Sequence, residues 1–411
     1  MKRISLLAIV CIAAFSLSGC GDNGAVSGVK ENELVMWLVG SEVQAQSVIQ
    51  LGERYTGTTG VKIRVETISW GDAHSKYLTS IAGGVSPDIG TMGLTWGTEF
   101  GALGTMVDLR KEFSDDINEI KKKVFPGMWG SVVCKGSVYG IPFDMTEQIL
   151  YYRNDIVETP PKTWEELTTL LVELEKDGKG MIFDWGSMSW IGYSCFLWQA
   201  GGDYCNDDYT RSMIDTPEAI DALKFFSELY TKYNVPKTRI PLEQGMRTGD
   251  FPLAISGNWK IQGLTLGAPE LKDKWSIAPL PWGPAGKRTA FIGGRVMGIF
   301  SRSKQKEKAW DFIKFLFTPE SQGKLYQDAL VKQDAYLPPN FSAWDNLNMD
   351  RKFKSALIRQ ARDAKGPPPI VNWDTCTKHI DEAIQKVILR GADPKTELSA
   401  ANKKIDKLLQ Q

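Results

Sequence analysis

The 411 residues carry 14 tryptophans and 12 tyrosines, and four of the tryptophans stand where a ring can do more than fill a core. Trp96 lies in GLTWGTEF just after the strand-like PDIGTM, and Trp259 lies in SGNW just after FPLAIS. Trp190, in DWGSMSW, and Trp373, in IVNWDTCT, each precede a helical stretch. A sugar presents C–H groups on its faces and hydroxyls around its rim. Flat aromatic platforms beside carboxylates, amides or Arg are the chemistry that holds one. For the rim, Asp144 carries a carboxylate able to accept two hydroxyls, and Glu147 is close by. Arg295 follows Gly293 and Gly294, where backbone without Cβ permits close approach to a ligand. Asp72 and His74, after ISW, are further candidates. Each has an ordinary alternative: a ring packed under its loop for Trp96, a core ring for Trp259, an ion pair for Arg295, a solvated surface pair for Asp72 and His74. Trp310, amid helical apolar residues, and Trp164, beside a helix cap, read as structural.

Catalytic chemistry finds little support. Asp144 and Glu147 could pose as a glycosidase pair, but two carboxylates so close on one segment are poorly placed to flank a scissile bond from opposite sides. GxSxG, HExxH and P-loop motifs are absent from the sequence. Its two histidines, His74 and His379, lie far apart and in no metal-ligand spacing. Acidic and basic residues balance at 49 each, which gives no electrostatic footprint for nucleic acid.

The elements that must position these residues alternate. ELVMWLVG is apolar at nearly every position, as in a parallel strand buried on both faces. AQSVIQLGERYTGTTG has helical spacing, VKIRVETI alternates like a strand, and KYLTSIAGG reads as a helix stopped by Gly83 and Gly84. Thr163 with Glu166 forms a capping box, with Leu167, Leu170, Leu171 and Leu174 on one face. Thr216 caps a second helix, Pro217 sits at its first position, and Ile220, Leu223, Phe226 and Tyr230 face inward. The stretch after LPPN, Leu337 to Asn340, is mainly helical, with a stiff PPP elbow at Pro367 to Pro369 before a final helix.

At the amino end Lys2 and Arg3 precede an apolar run of roughly 15 residues, short of the ~20 that span a bilayer. It reads as a signal peptide, and Leu17, Ser18 and Gly19 before Cys20 resemble the lipobox of bacterial lipoproteins. That resemblance implies cleavage before Cys20 and lipidation there, with GDNGAVSGVKEN as a flexible tether. About 390 residues then remain, enough for two lobes and a cleft, and the loss of Lys2 and Arg3 leaves a net charge of −2. Cys134, Cys195, Cys205 and Cys376 stay in the mature chain, where a Cys195–Cys205 disulfide is one possibility and small buried residues the other.

Several segments together resemble the family 1 extracellular solute-binding proteins of ABC importers, the group that includes maltose-binding protein. They are SIAGGVSPDI, VYGIPFDMTEQILYYRNDIV, PPKTWEEL, QAGGDY with DTPEAIDALKFFSELY, ISGNWKIQG, APLPWGPAG, FIGGRVMGI and SKQKEKAWDFIKFLFTPESQGK. Their order is the family's and they cover most of the mature chain; Arg153 stands where the family usually has Asn or Asp.

The resemblance implies an α/β, two-lobed periplasmic-binding-protein fold with hinge-linked lobes and a ligand cleft between them. Residues 1–19 would be the signal, 20–29 the lipidated tether, 30–144 with 297–340 lobe 1, and 145–296 with 341–411 lobe 2. It places Trp259 where maltose-binding protein has a ligand-stacking tryptophan, and Ser41 and Glu42 in a loop that contacts sugar there. The implied protein is a monomeric, extracytoplasmic receptor held to a bacterial membrane through Cys20, with a carbohydrate ligand, a membrane ABC permease as partner, and no cofactor, metal or nucleic acid. A non-sugar solute on the same fold, a sensor handing its ligand state to a membrane kinase, and a lipoprotein glycosidase are the alternatives.

Overall fold

The computed structural model describes residues 32–183, 188–330 and 336–410; the signal peptide, Cys20 and most of the tether lie outside them. Among the described residues ten strands are interspersed with helices: β1 (Glu33–Val39), β2 (Lys62–Ile68), β3 (Ile89–Gly93), β4 (Val133–Cys134), β5 (Ser137–Val138), β6 (Ile141–Tyr152), β7 (Met181–Phe183), β8 (Leu253–Gly257), β9 (Ser276–Ala278) and β10 (Ile292–Ile299). Eight of them form one sheet in the order β2-β1-β3-β10-β6-β8-β7, with β9 also on β6, while β4 and β5 make a small hairpin. β1 runs parallel to β2 and β3, and β7 parallel to β8.

Two strands join the halves of this sheet. The first half of β6, through Glu147, pairs with β10, whereas Gln148 to Tyr152 pair with β8. β10 in turn uses Ile292 to Met297 against β6 and Arg295 to Ile299 against β3, so Ile292 to Gly294 have β6 alone. These are the segments that a hinge between two lobes would bend.

Local signals account for the elements around them. Thr163 accepts the Glu166 N–H at 3.1 Å, as the spacing predicts, while the Glu166 carboxylate reaches one residue beyond the cap and accepts the Lys162 N–H at 2.7 Å. Thr216 likewise accepts from Ala219, and Ile220, Leu223, Phe226 and Tyr230 are buried. Trp310 bonds Asp116 at 2.7 Å and stacks on Phe113; Trp164 bonds Gln199 at 2.6 Å and stacks on Phe225. Arg153, the departure from the family pattern, is held by Asp155 through two bonds of 2.7 Å.

Residues 341–364 pack through Trp344, Leu347, Phe353 and Leu357 into a core that draws on both halves of the sheet, and from Ile370 onward the chain joins the second core. Trp344 meets Phe125 edge-on at 5.8 Å, and Phe353 stacks on Trp275 at 4.7 Å, so the segment touches both halves of the sheet. One expectation needs correcting, and one open alternative is settled. The final helix is in fact two, Trp373–Arg390 and Pro394–Leu409, because Gly391 turns left-handed at φ 65° and Pro394 starts a new first turn. Cys195 and Cys205 are free thiols. Cys195 instead accepts the Phe291 N–H at 3.3 Å, and burial pushes both thiols up to about 12.

Candidate ligand-binding cleft

β3 ends at Gly93 and the chain turns directly into helix Trp96–Ala102, which is why a tryptophan so soon after the strand reaches its end. The Trp96 ring lies 5.0 Å from His74 and 5.8 Å, edge-on, from Trp70. Trp70 and His74 are four apart on helix Trp70–Ala82 and so share a face, and Trp70 remains 41% exposed. His74 Nε2 is 2.9 Å from the Glu99 carboxylate, a bond that raises the imidazole pKa.

The second lobe supplies another aromatic group. Trp190 and Trp373 meet edge-to-face at 5.4 Å, Trp190 also meets Phe291 at 5.3 Å, and Trp373 meets Tyr204 at 5.0 Å. Both tryptophans are buried, and the Trp373 indole N–H has no partner among the described residues. Asp381, from helix Trp373–Arg390, accepts the backbone N–H groups of Met188 and Trp190 at 3.0 and 2.7 Å and so fixes where the Trp190 helix begins. Burial pushes the Asp381 carboxyl up to about 6.

The two groups meet through one bond: Trp96 Nε1 donates to Asp374 Oδ2 at 3.0 Å. Asp374 is the second residue of helix Trp373–Arg390, which packs in the second core, so this bond closes the distance between lobes. Trp259 is half-buried, its ring filling the space where a Cβ on Gly257 would stand. Gly257 alternates with Leu253 and Ile255, both in the second core, so the Trp259 ring shares the sheet face on which Trp190 and Trp373 pack.

The polar candidates divide differently. Arg295 and Asp144 are 2% and 7% exposed and bind each other: the Asp144 carboxylate accepts from Arg295 N at 2.9 Å and from Nε at 2.8 Å, and also from Nη2. Arg295 Nη1 donates to Gln44 Oε1 at 2.8 Å and to the Val39 carbonyl. The guanidinium donors are committed to this network, the ion-pair alternative given for Arg295. The neighbouring glycine serves the same purpose, since a Cβ on Gly294, at φ 134°, would collide with the Asp144 carbonyl; the close approach there is to strand β6 and not to a ligand.

Ser41 caps helix Glu42–Thr59 by accepting from Gln44 at 3.3 Å, and Glu42 is exposed in that helix's first turn. Asp72 accepts from the Ser69 hydroxyl at 2.6 Å in an exposed first turn. Sequence reading missed Trp70, Glu99, Asp374 and Asp381. Trp70 and Asp374 each adjoin a singled-out motif, whereas Asp381 carries no local signal.

Glu147 is 1% exposed and neither carboxyl oxygen has a partner among the described residues; burial holds its pKa well above the carboxylate range. Its backbone is paired both ways with Asn258. Above about pH 4.3 the unfolded chain gives up a proton that the folded chain keeps. Stability from this group is therefore complete below that pH and declines as pH rises toward the folded value. Glu147→Gln is expected to abolish the decline, with the variant gaining on the wild type by up to about 1.4 kcal/mol per pH unit in urea unfolding at successive pH values. Parallel curves would refute it.

The family model for bacterial extracellular solute-binding proteins matches residues 40–323, well over half the chain. The chain belongs to this family. Among relatives of this solute-binding protein is a maltooligosaccharide ABC transporter solute-binding lipoprotein of Streptococcus pneumoniae, 24% identical over 414 residues, covering 93% of this chain and 92% of that one. A binding protein of Brucella abortus is 26% identical over 372 residues, covering 86% and 87%. Among solved structures, the sugar-binding protein MalE of Xanthomonas citri superposes with a TM-score of 0.81 at 23% identity, over 92% of this chain and 97% of that one. That likeness establishes the two-lobed fold.

Proposed function

We propose that this solute-binding protein is the sugar receptor of an ABC importer, capturing a sugar or oligosaccharide by lobe closure and delivering it to a membrane permease. The observation that carries the reading is the aromatic cluster built from both lobes, Trp96 with Trp70 and His74 facing Trp190 and Trp373 through the Trp96–Asp374 bond. A ligand drives closure only by binding the closed form better than the open one, which requires contacts from both lobes. Trp259 adds a half-exposed ring on the second lobe. Relatives named for maltooligosaccharide and maltotriose binding support a carbohydrate over a polyamine or organic acid.

The hinge in this reading lies where β6 and β10 change partners, near Thr146 to Gln148 and Gly293 to Arg295. Lipidation on Cys20 keeps the receptor, a monomer, beside its permease, in line with the lipoprotein name of the pneumococcal relative. A glycosidase is disfavoured because Asp144 is engaged by Arg295 and Glu147 is sealed from solvent, so neither carboxyl is free to reach a glycosidic bond.

Thermal unfolding of the mature domain against monosaccharides and maltooligosaccharides, with polyamines and organic acids alongside, tests this. A ligand at 100 times its Kd is expected to add about 2.7 kcal/mol. A hit confined to the non-sugars would overturn the sugar assignment.

A further inference from the structure

Trp96 has neighbours from both lobes. The His74 ring, on helix Trp70–Ala82, lies 5.0 Å from it, and its indole N–H reaches Asp374 Oδ2 at 3.0 Å. His74 and Trp96 follow β2 and β3, whereas Asp374 opens helix Trp373–Arg390 of the second core, so the three side chains straddle the cleft.

Among the described residues, the charged groups acting on His74 are Glu99, Asp374 and Lys378. On its own helix, Asp72 is bonded to Ser69 and Lys76 stands over the Trp37 ring. Glu99 belongs to helix Trp96–Ala102, in the same lobe as His74, and its carboxylate meets Nε2 at 2.9 Å. That bond raises the His74 pKa against the opposing effect of burial, and closure leaves it as it is because both residues move together. Asp374 and the exposed Lys378 are four apart on helix Trp373–Arg390 and share a face, so both act on His74 from the other lobe. Of these two, the attraction to Asp374 exceeds the repulsion from Lys378.

We propose that His74 and Asp374 are positioning residues for ligand capture: they hold Trp96 from the two lobes and attract one another across the cleft, so proton uptake by His74 draws the lobes together and tightens ligand binding. This latch rests on capture by lobe closure and adds a proton to what drives it. An attraction made only on closure gives His74 a higher pKa in the closed form than in the open one. The closed form is therefore favoured fully below the open-form pKa, and the gain is lost as pH rises through the closed-form value. Burial pushes the Asp374 carboxyl up, and its protonation sets the acid end of the window.

The ligand-free mature chain tests the latch without any sugar. Its two histidines, His74 and His379, give two imidazole signals by NMR, which His379→Gln assigns. The Trp96 indole N–H signal is expected to shift in step with the His74 titration and to lose that step in His74→Gln. The His74 pKa is expected to fall in Asp374→Asn, which keeps an acceptor oxygen for Trp96. By small-angle scattering the radius of gyration is expected to be smaller at about pH 6 than at about pH 8.5, and equal at both in either variant. Affinity for maltotriose is expected to be at least about fivefold tighter at the lower pH, and independent of pH in both variants. Maltotriose that fails to bind, with the NMR and scattering changes present, would overturn the sugar assignment and uphold the latch. An indole signal indifferent to His74, or a radius that responds to pH alike in all three proteins, would overturn the latch. Maltotriose bound equally well at both pH values would also overturn it and leave the sugar assignment standing.

Discussion

Replacing Arg295 with methionine is expected to cost about 3–5 kcal/mol of folding stability, the largest loss among single substitutions considered for this protein. Methionine fills much of the volume but supplies none of the donors that now reach Asp144, Gln44 and the Val39 carbonyl. The Asp144 carboxylate, 7% exposed, would keep only the Arg295 backbone N–H among these bonds and would stay buried without the guanidinium. Adding Asp144→Leu removes that charge as well, so the double variant is expected to recover much of the loss, because apolar replacement of a buried pair is often close to neutral. Urea unfolding of the two single variants and the double variant measures the coupling. Additive losses, or a cost for Arg295→Met below about 1 kcal/mol, would mean that the pair behaves like a surface ion pair.

Trp259→Ala is expected to weaken sugar binding at least tenfold, about 1.4 kcal/mol, with the fold intact. The ring is half-buried and stands over Gly257, so its removal opens space toward solvent and leaves no sealed cavity. The expected stability change is correspondingly small, about 1 kcal/mol. Calorimetric titration with whichever sugar shifts the unfolding midpoint measures the affinity. An unchanged Kd would remove Trp259 from the site and leave the cleft to Trp96, Trp70 and the Trp190–Trp373 group.

What the sequence determined by itself was everything governed by near neighbours along the chain. The capping pairs at Thr163 and Thr216 and the apolar faces that follow them depend on residues three or four apart, and they stand in the structure where their spacing predicted. The strand runs ELVMWLV, KIRVETI and LAISG are legible for the same reason, and the ordered family segments carried the two-lobed fold.

The tertiary structure alone decided which candidate polar groups are occupied and which aromatic rings meet. Asp144 and Arg295 are 151 residues apart, and nothing local to either shows that each is the other's partner. Trp96 and Asp374, 278 residues apart, become neighbours only because the chain returns to the cleft after passing through both halves of the sheet. Glu147 reads as a surface-compatible carboxylate in sequence, yet the pairing of β6 with β8 and β10 buries it. Periodicity and capping act within a turn or two of backbone, whereas the strength and availability of a charged group depend on every element folded around it.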